Sequence, residues 1–174
     1  DLVDSFKKYL VTGGMPAVLN AFNQQHTFDA CETVLQNLIL SYKGDFVKHP
    51  VMSDVAKIGQ VFDSLPSQLA RENKKFVYQL VRTGARAREY EDAIQWLVRS
   101  GLVYQIKLST KPGIPLAAYD DVSAFKLYAL DVGIMRKMAR LAPTAYAEGS
   151  RLFTEFKGAM TENYILQSLV TQFD

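Results

Sequence analysis

The chain is poor in the side chains from which metal and nucleophile sites are built. Its 174 residues include one cysteine, Cys31, and two histidines, His26 and His49. A lone cysteine excludes an internal disulfide and fits a reducing cytoplasm. The histidines lie far apart in sequence, and Cys31 has no Cys or His at ligand spacing, so no metal site is legible. No apolar run approaches the roughly 18 residues of a membrane span. There is no G-x-S-x-G, and Cys31 falls on an apolar helical face, where a thiol is inert. There is no G-x-x-x-x-G-K-[ST], so the chain cannot cradle a nucleotide triphosphate by a P-loop. Neither charge sign dominates. With 20 basic and 18 acidic residues the net charge is +2, a smaller excess than nucleic-acid binders usually show. Residues 53–131 are the most basic part, with 11 basic and 9 acidic side chains. The start, DLVDSFKKYL, has no initiator Met and no signal-peptide order, and reads as a segment from inside a longer protein.

What is present is a sizeable core. Hydrophobic residues make up 48% of the chain, far from the disordered regime. Apolar spacing predicts a helix over residues 2–10, broken by the GGMP turn at 13–16, and a short helix after it. A longer helix spans 29–49, with Thr27 or Asp29 as its cap and His49-Pro50 as its stop. Another spans 53–69, capped by Ser53 or Asp54 and ended or bent by Pro66. The clearest lies within 84–101, with the stripe Ala87, Tyr90, Ile94, Leu97 and Val98 and Gly101 as its stop. LVYQIKL, LAAYDD and FKLYALD then read as strands. VGIMRKMARL returns to helix, and a last helix follows a loop.

The expected fold is therefore mainly α with a small β component. A helical segment (1–52) precedes a winged helix-turn-helix (53–140), which is followed by a linker and C-terminal helix (141–174). Helices followed by a β-hairpin is the winged-helix order. In such a fold the helix over 86–100 is the candidate reader. Arg88, Asp92, Gln95 and Arg99 share its outer face, and Lys107 and Lys111 sit on the wing. Arginine and glutamine suit phosphates and base edges. Asp92, with Glu89 and Glu91 close by, would face the same phosphates. A solvated face or a protein-contact surface is thus weighed ahead of DNA.

YKGDF and YEDA set carboxylates near tyrosines without a second carboxylate, which does not support acid–base catalysis. Glu162 stands apart. On a helical projection Ile165, Leu166, Leu169 and Phe173 flank it, so the charge sits within an apolar stripe, where it is costly unless paired. Two readings follow. Either Glu162 occupies the first turns of the helix, stabilised by free N–H groups, or it points into a cleft completed by further sequence.

Several stretches taken together carry a resemblance: YLVTGGMPAVLNAF, YKGDFVKH, KIGQVFDSLPSQLARENKKFVY, REYEDAIQWLVRSGLV, PLAAYDD, FKLYALDVGIM and KGAMTENYILQSL. In this order they resemble the C-terminal region of unknown function of prokaryotic AAA-type ATPases. The resemblance implies a preceding P-loop module that binds ATP and Mg, a winged-helix-like part, and a nuclease-like fold begun by the last helix. Lys157, Gly158 and Glu162 also resemble the first helix of nuclease-superfamily enzymes. By that resemblance Glu162 would assist a metal-bound carboxylate pair located beyond Asp174. The expectation is a non-catalytic accessory region in the cytoplasm that holds no cofactor or metal. Its partners would be its own ATPase module, the nuclease-like domain and a further protein or DNA, with no membrane contact.

Overall fold

The structure, a computed structural model, describes residues 1–48, 52–71, 75–146 and 151–173. Within them the chain is mainly helical, with one two-stranded antiparallel sheet. The order is α1 (Leu2–Thr12), α2 (Pro16–Gln25), α3 (Phe28–Asp45), α4 (Met52–Ala70), α5 (Ala87–Arg99), β1 (Val103–Ser109), β2 (Asp120–Ala129), α6 (Val132–Met138) and α7 (Arg151–Phe173).

Local chemistry explains most boundaries. The Asp1 carboxylate caps α1 by accepting from the Val3 N–H at 2.7 Å. Gly13 ends α1 at φ 71°, a conformation that favours glycine, and Pro16 opens α2. Thr27 precedes α3 in extended backbone without a side-chain cap bond. The stop expected at His49-Pro50 lies outside the described residues, but α3 itself already gives way at Asp45 to a 3-10 turn, Phe46–Lys48. Pro66 does not end α4, which runs on to Ala70. The start of α4 carries Asp54, whose carboxylate accepts from Lys57 Nζ at 2.7 Å. Gly101, at φ 70°, follows α5 where a stop was expected.

The strands differ from the three expected. LAAYDD is a 3-10 turn, Leu116–Tyr119, running into a single long β2. β1 and β2 pair from Val103 opposite Ala129 to Lys107 opposite Phe125. A bulge between Lys107 and Leu108 then shifts the register. Ala124, Phe125, Leu127, Tyr128 and Ala129 of β2 are all buried.

The core forms where α4 meets α5, α6 meets α1 and α3, and β2 crosses α4. Leu35 of α3, Phe62 and Leu65 of α4, Leu97 of α5, Leu127 of β2 and Met135 of α6 are essentially inaccessible there. Each such side chain is worth about 1.5–3 kcal/mol in burial. α7 lies across α6, β2 and α4. No helix among the described residues is long and apolar enough to cross a membrane.

Candidate functional site

The residues expected to read DNA divide between solvent and internal bonds. Arg88 and Arg99 are exposed on α5, with Asp92 exposed between them. Gln95 is half-buried, and its amide donates to Gln105 Oε1 on β1 at 3.3 Å. Lys107 pairs with Asp120 across the hairpin at 3.4 Å. Lys111 is exposed at the hairpin tip. A groove of about 320 Å³ runs between α5 and the hairpin, with Glu91, Gln95, Gln105, Lys107 and Ser123 among its lining residues.

Glu162 lies in the middle of α7, eleven residues after its first residue, so stabilisation by a helix N-terminus does not apply. Its Oε1 accepts from Lys126 Nζ at 2.6 Å and from the Tyr128 hydroxyl at 2.7 Å, both on β2. That pairing is why a carboxylate is tolerated among apolar neighbours. Burial, and then the bond to Glu162 and its charge, push the Tyr128 phenol far up. The face centred on Glu162 is also not the core face. Among the described side chains of α7 the buried ones are Ala159, Met160 and Asn163, while Ile165 and Leu169 are 50% and 47% exposed. Glu162 instead borders a hollow of about 220 Å³, lined with Ile106, Lys107, Leu108, Phe125, Lys126 and Tyr128.

Two further polar centres escaped the sequence reading. Asp131, just before α6, accepts from the Gly14 N–H at 2.7 Å, the Ile134 N–H at 3.0 Å and the Gln167 amide at 3.3 Å. It thus joins the end of α1, the start of α6 and α7. The fit is tight, because a Cβ on Gly13 would strike the Asp131 carboxylate and one on Gly133 would strike the Thr12 carbonyl. Gln167 completes the junction, accepting from the Val132 N–H at 3.0 Å and donating to the Tyr9 hydroxyl at 3.0 Å. Burial pushes Asp131 up, against the bonds from Gly14, Ile134 and Gln167 that pull it down.

The second centre is Arg136, fully buried on α6. Its guanidinium donates to the carbonyls of Val11, at 2.9 Å, and Leu141, and to Glu32 Oε1 on α3. Lys137 donates to the other Glu32 oxygen at 2.8 Å. Burial alone would raise the Glu32 carboxyl, but the bonds and charges of Lys137 and Arg136 outweigh it and hold Glu32 below its ordinary value. Cys31, also buried, points its thiol weakly at the carbonyls of Val18 and Thr27, an inert packing position.

Among the described residues, no group of three or more His, Cys, Asp or Glu side chains is placed to hold a metal ion. The buried carboxylates and guanidinium bond to the fold itself. The arrangement defines a helical domain with bonded polar groups in its interior and, at its surface, a carboxylate paired with Lys126 and Tyr128 beside Ile106, Lys107, Leu108 and Phe125.

The chain belongs to a family described as a domain of unknown function (DUF8612), which matches residues 3–145. α7 follows the matched span. No curated protein and no solved structure matches the chain.

Proposed function

We propose that the chain is a non-catalytic accessory region of a prokaryotic AAA-type ATPase, working in the cytoplasm as a docking surface for its ATPase module. The observation that carries this reading is the band around Glu162. Ile106 and Leu108 of β1 are 41% and 51% exposed, and Ile165 and Leu169 of α7 lie at helical spacings of three and seven from the glutamate. Exposed apolar side chains grouped in this way mark interaction surfaces. The paired carboxylate at their centre gives the contact a polar element without a free catalytic group. In this reading Glu162 is a structural residue, and ATP and Mg belong to the partner module.

A second reading is a winged-helix DNA-binding module. It is favoured by Arg88 and Arg99 standing exposed on one helix face beside a hairpin tipped by Lys111. The bond from the Phe76 N–H to the Phe125 carbonyl at 2.6 Å also lays the segment before α5 along β2, as the first strand of a winged helix lies beside the wing.

Titrating the chain with the separately expressed ATPase module and with duplex DNA, at low and moderate salt, tests both. The docking reading expects module binding that salt changes little and no DNA binding. DNA binding that falls steeply with salt and is lost in an Arg88→Glu, Arg99→Glu variant would replace it with the second reading.

A further inference from the structure

The groove of about 320 Å³ between α5 and the hairpin holds a charge that the fold leaves unpaired. Glu91 stands exposed on its α5 wall. Among the described residues no ion pair or hydrogen bond holds the Glu91 carboxylate. Tyr78, in the same groove, feels that charge, since burial and then Glu91 push its phenol up. Gln95 follows Glu91 by one helical turn, so the two side chains are neighbours. The Gln95 amide N–H is spent on Gln105 Oε1 at 3.3 Å, and its own oxygen has no partner among the described residues. Across the groove the Ser123 hydroxyl donates to Asp121 at 2.7 Å, so its oxygen can only accept from an occupant. Among the described residues Lys107 is the one cation lining the groove, and Asp120 holds its ammonium at 3.4 Å. One uncompensated negative charge remains, with further acceptors around it.

We propose that this groove takes the guanidinium of an arginine side chain presented by a protein partner. The positive charge pairs with Glu91. The planar fork of five N–H donors serves several acceptors at once, which the compact ammonium of lysine does less well. Tyr78 and Phe125 add aromatic surface for the flat face of the guanidinium. Ala87 and Val122 are exposed at the same groove. A small molecule would leave them in water, whereas the backbone on either side of a partner's arginine covers them. Glu91 repels phosphate, so the groove does not extend a DNA-binding face. Gln105 and Lys107 alternate with Ile106 along β1. The groove therefore lies on the other side of the hairpin from Ile106, and it is a second contact surface, independent of the docking reading above.

The test follows amide chemical shifts of the isotopically labelled intact chain during titration with three probes. These are the acetylated and amidated tripeptide Ala-Arg-Ala, its citrulline counterpart, and free arginine. The arginine peptide is expected to shift the Glu91, Gln95, Gln105 and Ser123 amides saturably. The citrulline peptide, with the same shape and no charge, should bind at least tenfold more weakly. Glu91→Gln should weaken the arginine peptide by about tenfold. Asp92→Asn removes a carboxylate from α5 outside the groove and should change nothing. Both positions are exposed, so both variants should keep the native fold. Equal affinity in Glu91→Gln, equal binding of the citrulline peptide, or no saturable shift at these four amides overturns the inference. Binding of free arginine where the blocked peptide does not bind would replace the protein partner with a small amino-acid ligand and overturn it as well.

Discussion

Asn163 is an amide in the middle of a helix, where its propensity is poor, and it is fully buried. Its two bonds to Ala129 replace those a further strand would make. Truncation in Asn163→Ala leaves a buried N–H and a buried carbonyl without partners. The expected cost is about 2–3 kcal/mol in chemical denaturation, whereas a surface substitution such as Lys111→Ala should be near neutral. Glu32 provides a pH-dependent counterpart. Its folded carboxyl is held below its unfolded value, so its contribution is full above the ordinary glutamate range and is lost as pH falls through the folded value. Glu32→Gln should therefore destabilise at neutral pH by about 2–4 kcal/mol, because buried Arg136 loses its counter-charge. The gap to the native chain should close on acidification, as measured by denaturation across pH. A gap constant with pH would mean that the ion pair contributes nothing.

At the scale of elements, α6 is the short helix on which the longer ones converge. Asp131 at its start holds the end of α1 and reaches α7, and Arg136 near its end bonds to α1 and α3. Gly133 lets the backbones of α6 and α1 come close, since any Cβ there would meet the Thr12 carbonyl. Gly133→Ala should cost about 2 kcal/mol or more through displaced backbone, visible as a lowered Tm. The apolar period located the helices to within a few residues, because that signal is local, whereas the expected cap at Thr27 makes no side-chain bond. The strand count failed at LAAYDD, where a 3-10 turn feeds β2 directly. The polar junctions were out of reach because their partners are remote, with Asp131 and Gly14 separated by 117 positions and Arg136 and Val11 by 125. For α7 the apolar pattern pointed to the wrong face, since the helix turns Asn163 inward and leaves Glu162 at a surface hollow. A mid-helix Asn beside a Glu was the available hint, because such residues in a helix interior need an external bonding task.

At the scale of the whole molecule, the polar interior binds the fold together and the open chemistry is left to one side. Glu162 and its β2 partners border a hollow with Ile106 and Leu108 of β1, and Ile165 and Leu169 follow Glu162 on α7 at helical spacings of three and seven. Among the described residues Glu162 is the one carboxylate lining its hollow, and the exposed cations on α5 share their face with Asp92. The central claim is that this band, rather than the arginine face of α5, meets the ATPase module. The most direct measurement is the calorimetric affinity of the separately expressed ATPase module for the native chain and for an Ile165→Asp, Leu169→Asp double variant. Both positions are about half exposed, so the variant should keep its Tm within a few degrees. The account predicts module binding by the native chain and at least a tenfold loss in the variant. Equal affinity for both, with the variant folded, would contradict it.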